Sequence, residues 1–252
     1  MNNEGPNMRS FDYIAAGQRL LTPRTVALLT AIQEAKGRQS VRAAIRPDVL
    51  ETLENVARIQ STDASNRIEG ISTSGKRLTA LMQAKVAPRN RNEEEIAGYR
   101  DSLATIHASH DWIPLTPNVI LQLHRDLFRH TPFSFAGRFK DSDNIIVERD
   151  AAGSQRTRFA PPPAIATPEL MERSCTAHAE ALRGEQVNPL LAMTMFILDF
   201  TCIHPFNDGN GRMSRLLTLL LMYRSGHDVG KFPRRISTAC YPTSASPPSS
   251  AR

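Results

Sequence analysis

The chain has 252 residues, of which 40% are hydrophobic and 22% charged, a composition typical of soluble globular proteins of one or two domains. Lys and Arg number 31 against 25 Asp and Glu, so the formal net charge of +6 suits a polyanionic partner without requiring one. Three Cys residues without a CxxC spacing argue against a disulfide framework or a zinc site. The chain shows no signal segment and no apolar run long enough to cross a bilayer, so we expect a cytoplasmic protein without a membrane partner.

Apolar residues recur at helical spacing through most of the chain, which predicts an all-α protein. The predicted helices cover residues 24–35, 47–69, 92–106, 116–128, 168–182, 188–203 and 211–225. Gly70 is the expected stop of the second of these helices, and Asn92 is the expected N-cap of the third.

Residues 134–163 break the helical pattern. Two short β-prone pieces, 144–147 and 157–159, flank a polar middle that contains glycine, and prolines follow. This arrangement predicts a surface hairpin on a helical body. The last residues of the sequence, 233–252, are rich in Pro and Ser, which predicts a disordered tail.

The stretch "CIHPFNDGNGRMSR" at 202–215 places polar residues between two apolar helices. Gly209 and Gly211 allow a close approach of the backbone to a ligand, and a helix that begins near Gly211 offers free N–H groups to an anion. Arg212 and Arg215 lie three residues apart, so we expect both guanidinium groups on one side of the first turn. Together these features favour phosphate binding.

Two further side chains in this stretch suit chemistry on a phosphate. Asp208 supplies a hard oxygen ligand for Mg²⁺, and His204 exchanges a proton near neutral pH. Each feature alone is ordinary, since most histidines at helix ends cap or pack. Their conjunction predicts a Mg²⁺-nucleotide site with an adjacent general base.

The residues H-P-F-N-D-G-N-G-R-M-S-R at 204–215 resemble the signature of the Fic family, and the similarity extends over about 61–232. The resemblance implies a Fic-type helical core with a small β-hairpin flap. It also implies AMP transfer from ATP, with Mg²⁺, to a hydroxyl of a target protein or of the chain itself. By this resemblance His204 is the catalytic base, Asp208 holds the metal, and the nucleotide phosphates are bound by Gly209, Asn210, Gly211, Arg212 and Arg215.

A second resemblance concerns the stretch "SNRIEG" at 65–70, where Ser65 and Glu69 share one face of a helix. A carboxylate late in a helix opposes the macrodipole, so another benefit is expected to hold Glu69 there. The stretch resembles the inhibitory motif of the family, which implies that Glu69 pairs with Arg215 in place of the γ-phosphate of ATP. In some relatives the same glutamate supports removal of AMP.

The resemblance also divides the chain. It implies an N-terminal helical region with the inhibitory motif at 1–90, a catalytic core at 91–232, and the tail at 233–252, where relatives continue into further helices. Such a difference is expected from a truncation or a shifted reading frame, with reduced stability, weaker adenine binding, or both as the consequence. The flap residues that would position a target segment are Lys140, Asp141, Ser142, Asp143, Asn144, Ile145 and Ile146.

Another interpretation stays open at this point. The chain could be an inactive or degenerate Fic-fold module that binds nucleic acid through a basic patch at Lys85, Arg89 and Arg91, although no DNA-binding motif supports it. Kinase-like or phosphocholine-transferring chemistry is less favoured because every specified position of the signature is present. The sequence predicts neither the target protein, nor the oligomeric state, nor the signal that would release Glu69.

Overall fold

The computed structural model describes residues 11–43, 47–149 and 155–227, which form a helical body with one hairpin. The helices are α1 Tyr13–Leu20, α2 Pro23–Ala43, α3 Pro47–Ile68, α4 Gly75–Met82, α5 Arg91–Ser109, α6 Pro117–Leu127, α7 Thr167–Leu182, α8 Pro189–Ile203 and α9 Asn210–Arg224. The strands are β1 Ile146–Arg149 and β2 Gln155–Phe159, which pair antiparallel. The predicted fold class, all-α with a small hairpin, is therefore confirmed.

Local signals account for most helix ends. The side chain of Thr116 accepts a hydrogen bond from the backbone of Val119 at the start of α6, and Gly70 has a φ of +76° just beyond α3. The predicted cap at Asn92 is wrong. Asn90 caps α5 instead, because its side-chain oxygen accepts the N–H of Glu93 at 3.1 Å.

Two helices have no counterpart in the predictions. Helices α1 and α4 have 8 residues each, which is about two turns and too short for a periodic pattern to stand out. Tertiary contacts hold α1 in place, since the hydroxyl of buried Tyr13 donates a hydrogen bond to Asp199 of α8 at 2.7 Å.

The core lies around α8, which is apolar on nearly all sides and packs between α7 and α9. Helices α5 and α6 approach so closely that a Cβ on Gly98 would overlap the backbone carbonyl of Leu127. These contacts bring α5, α6, α8 and α9 to one place, where the α8–α9 loop lies. The fully buried aromatic residues of this core are Phe128, Phe196, Phe200 and Phe206.

The hairpin projects from this body with every residue of β2 exposed. Strand β1 begins at Ile146 rather than at the predicted Asn144, because the Asn144 amide turns inward and donates to the carbonyl of Phe206 at 3.3 Å.

The predicted domain boundary at residue 90 stays a prediction, and the predicted disordered tail lies outside the described residues. No helix in the described part of the chain is long and apolar enough to span a membrane.

Candidate active site

His204 ends α8 in the left-handed conformation, with φ 51° and ψ 62°, and its backbone N–H donates to the carbonyl of Phe200 at 3.0 Å. The imidazole is half-buried. Burial and the nearby ammonium of Lys140 lower its pKa below the ordinary value of 6.5, while the Thr201 backbone and the Glu69 carboxylate oppose the shift. A neutral imidazole at pH 7 is the form that accepts a proton.

The loop after His204 is anchored in the core by Phe206, whose side chain is fully buried. Asn210 closes this loop. Its side-chain oxygen accepts the Phe206 N–H at 2.9 Å, and its side-chain amide donates to the Phe206 carbonyl at 2.7 Å. The Asn210 side chain therefore shapes the loop from within, which leaves any contact with an anion to its backbone.

Helix α9 begins at this loop without a side-chain hydrogen bond from its N-cap. Gly209 is its N-cap, with φ +81° and ψ 4°, and a Cβ there would lie 2.9 Å from the ring of Phe128. Only glycine fits this position without strain. The side chain of Asp208 is 46% exposed beside the helix start, and its Oδ1 accepts the Gly209 N–H at 2.6 Å.

Arg212 and Arg215 have different partners and different exposure, since Arg212 is buried and Arg215 is 30% exposed. The Arg212 side chain is 1% exposed, and its Nη1 lies 2.7 Å from Oε2 of Glu95 on α5. Its Nη2 lies 3.8 Å from Oδ1 of Asp208, and its guanidinium lies over the ring of Phe128 at 5.0 Å. Arg212 therefore places a positive charge beneath the loop and orients Asp208.

Arg215 points instead to α3, and here the structure brings the predicted inhibitory residues to the loop. Its Nη2 donates to Oε1 of Glu69 at 2.7 Å, and its Nε donates to the hydroxyl of Ser65 at 2.7 Å. The same Glu69 oxygen lies against Gly211, where a Cβ would overlap it. The carboxylate thus occupies the N-terminus of α9, where a helix favours negative charge.

The hairpin residues divide into buried and exposed groups. Lys140 is 4% exposed, contrary to a role at the target-facing surface. Its ammonium donates to the carbonyls of Pro162 at 2.8 Å and Ile203 at 3.1 Å and to the Asn144 side chain at 3.0 Å. Burial lowers the pKa of Lys140, and Asp143 opposes that shift. Lys140 therefore fastens the hairpin to the end of α8.

The remaining predicted hairpin residues lie outside this anchor. Asp141 accepts a hydrogen bond from Asn207 at 3.1 Å, and Asp143 accepts the backbone N–H of Ala164 at 2.7 Å. These bonds brace the hairpin base. Exposed side chains are those of Asp141, Ser142, Asp143 and Ile145, and Ile146 is partly covered.

Three residues at the site were missed by sequence reasoning. Glu95 and His124 contact the loop from α5 and α6, and Tyr99 of α5 is buried. Burial raises the pKa of Tyr99, while the nearby Ser65 hydroxyl and the guanidinium groups of Arg215 and Arg212 oppose the shift. None of the three lies in a recognisable motif, so spacing alone gives no signal for them.

The basic patch that would bind nucleic acid is partly neutralised. Arg91 pairs with Glu95 at 2.8 Å and lies over the ring of Phe133 at 4.8 Å. The backbone N–H of Arg89 donates to the carboxylate of Glu93, so acidic side chains of α5 stand beside both arginines. This arrangement does not favour the nucleic-acid interpretation.

Comparisons with known proteins show what this chain is similar to. Residues 114–222 match the model of the Fic/DOC family. A protein adenylyltransferase Fic from Nematostella vectensis is 25% identical over 170 residues, which cover 64% of this chain and 36% of that protein. The chain thus spans about a third of the length of the adenylyltransferases it matches.

Solved structures share the architecture. A Fic family protein from Desulfovibrio desulfuricans is 29% identical, with a TM-score of 0.62 over 81% of this chain and 58% of that one. A Fic domain containing signaling protein from Bacteroides thetaiotaomicron has a TM-score of 0.62 at 23% identity, over 71% of this chain and 67% of that one. The second likeness shows the shared fold.

Proposed function

We propose that this chain, whose residues 114–222 match the Fic/DOC family model, transfers AMP from ATP to a hydroxyl group of a protein and that its own Glu69 restrains this activity. The curated relatives are named protein adenylyltransferases, and the chain covers only part of their length. The observation that carries the proposal is the convergence of His204, Asp208 and the N-terminus of α9 on one loop.

His204 has the position and the protonation state that the acceptor step requires. Its lowered pKa keeps the imidazole neutral at pH 7, so it can take the proton of an incoming Ser, Thr or Tyr hydroxyl. The oxygen then attacks the α-phosphorus, the bond to the bridging oxygen breaks, and pyrophosphate leaves with the electron pair. The loop holds this base rigidly because the adjacent Phe206 is locked in the core.

The phosphates fit the start of α9. The helix has 15 residues and no side-chain cap, so its N-terminus, the backbone approach at Gly209 and the buried charge of Arg212 all favour an anion there. Asp208 fits Mg²⁺, which is held in such sites by one or two carboxylates together with substrate phosphates. When bound, the metal would neutralise charge on the phosphates, and Asp208 would be its protein ligand.

Glu69 competes for the same place. Its carboxylate pairs with Arg215 and lies on the first turn of α9, so it carries the charge and position expected of a phosphate oxygen. An ATP molecule bound with Glu69 in place loses one guanidinium contact. We therefore assign the Glu69–Arg215 pair an autoinhibitory role.

The hairpin supplies an edge for the target. Strand β2 is exposed along its length, and Val147 and Phe159 present apolar side chains that are 49% and 40% exposed. A two-stranded sheet offers its outer edge to an extended segment, which recognises backbone rather than side chains. Lys140 would keep this edge at a constant distance from His204.

The experiment compares the wild-type chain with Glu69→Gly and with Glu69→Gly/His204→Ala. Each protein is incubated with Mg²⁺ and ATP labelled at the α-phosphate, alone and with a cell lysate. A charge-assisted hydrogen bond contributes about 1.5–3 kcal/mol, and this pair is about one-third exposed, so we expect Glu69→Gly to raise labelling about tenfold. Adding His204→Ala to Glu69→Gly should abolish labelling.

The matched control is Glu172→Gly, which removes an exposed carboxylate from α7, far from the loop, and should label like the wild type. Equal labelling by wild type and Glu69→Gly would refute the inhibitory role. Labelling that survives His204→Ala would refute the assigned base, and no labelling by any variant would refute the transferase activity.

A further inference from the structure

His124 lies beneath the loop that follows α8. It is on α6 with no exposed surface, and its ring stacks on Phe206 with 3.7 Å between centroids and 1° between planes. Its Nδ1 accepts the backbone N–H of Gly137 at 2.9 Å, and its Nε2 lies 3.0 Å from the carbonyl oxygen of Asp208. One ring thus joins the turn before the hairpin to the loop.

The two contacts define the tautomer. The Gly137 N–H can only donate, so Nδ1 must present its lone pair. The proton of a neutral imidazole then resides on Nε2, which donates it to the Asp208 carbonyl. Both ring nitrogens are satisfied in this one arrangement.

We propose that His124 is a positioning residue that holds the Asp208 backbone so that its carboxylate faces the Mg²⁺ of a bound nucleotide. The inference rests on the proposed function. The Asp208 carboxylate accepts the Gly209 N–H and lies 3.8 Å from Arg212. A shift of the Asp208 carbonyl would rotate the whole residue and move the carboxylate away from these partners. Groups that orient a metal ligand in this way affect metal affinity about 10–100-fold.

The test uses the full chain carrying Glu69→Gly and measures binding of a fluorescent N-methylanthraniloyl ATP analogue as Mg²⁺ is titrated. His124→Phe retains a flat ring for the stack on Phe206 and removes both hydrogen bonds. We expect it to raise the Mg²⁺ concentration for half-maximal binding at least about tenfold, with binding in EDTA unchanged.

The matched control is His178→Phe. His178 is also buried, has a pKa lowered by burial to about 4, and packs edge-on against Phe196 at 5.7 Å on the α7 side of the core. It should leave the Mg²⁺ dependence unchanged. An unchanged Mg²⁺ dependence in folded His124→Phe would overturn the proposal, as would an equal change in both variants.

A second measurement needs no variant, so it decides the question if His124→Phe does not fold. Nitrogen chemical shifts of the His124 ring at pH 7 should show the proton on Nε2; a proton on Nδ1 would overturn the proposal. Mg²⁺-dependent binding without AMP transfer would defeat the proposed activity alone. Binding that is indifferent to Mg²⁺ in every variant would defeat the metal role of Asp208 and this inference with it.

Discussion

Glu95 is expected to control the stability of the loop through the charge of Arg212. Both side chains are almost fully buried, at 2% and 1% exposure, and their closest atoms are 2.7 Å apart. Glu95→Leu leaves the guanidinium of Arg212 in the core with only the Asp208 carboxylate near it, at 3.8 Å. Removing one partner of a buried pair costs about 3–5 kcal/mol, because the remaining charge is neither solvated nor neutralised.

The two partners are not equivalent, and the structure predicts which loss is larger. Glu95 has a second partner, since its Oε1 accepts from Arg91 at 2.8 Å, and the Arg91 side chain is 65% exposed. Arg212→Met therefore leaves a carboxylate that is still paired, and we expect about half the loss of Glu95→Leu. The double variant replaces the pair by apolar side chains and should be more stable than Glu95→Leu alone.

Thermal and urea unfolding of the four proteins checks this cycle. At about 2–4 °C per kcal/mol for a chain of this size, Glu95→Leu should lower the Tm by about 6–20 °C. Glu93→Leu is the matched control, because Glu93 is also buried on α5 but pairs with Arg77 of α4, away from the loop. It should reduce stability without changing nucleotide binding. Purely additive losses in the double variant would refute the reasoning.

Two further outcomes are expected. Gly98→Ala should destabilise the fold by about 1–3 kcal/mol in urea unfolding, because its Cβ would overlap the Leu127 carbonyl. Gly37→Ala in α2, where a Cβ would meet no atom within 4 Å, should stabilise the fold by about 0.5–1 kcal/mol. The opposite order of stabilities would contradict the α5–α6 packing. In a pH–rate profile of Glu69→Gly, AMP transfer should fall as pH drops through the lowered pKa of His204, since the imidazolium cannot accept a proton. Its midpoint should lie below 6.5, the ordinary value, and one above it would contradict the effect of burial and Lys140.

Much of the candidate site could be predicted because its signals are local. The uncapped N-terminus of α9 follows from glycines beside a helix start, and the left-handed backbone at Gly70 and Gly209 favours residues without a Cβ. The four-residue spacing of Ser65 and Glu69 predicted that both side chains lie on the same face of a helix, and both side chains accept hydrogen bonds from Arg215. That pairing came from a resemblance to relatives, since no local rule joins residues 146 positions apart.

The direction of Arg212 could not be predicted in the same way. Residues three apart on a helix differ by about 60° around its axis, so one can face the core while the other faces the rim. Which of them turns inward depends on the Glu95 carboxylate, which reaches the loop from another helix. Lys140 is a similar case, because two carbonyl acceptors from distant segments, those of Pro162 and Ile203, help to make its burial possible.

By itself the sequence determined the helices with strong caps or long apolar faces, the hairpin, and the groups that could bind a phosphate and move a proton. Tertiary structure alone decided which of those groups face outward and which support the loop from below, as His124 and Glu95 do. The physical reason is that capping and backbone conformation depend on neighbours within a few residues. The burial of a charge or an imidazole depends on partners that only the folded chain brings together.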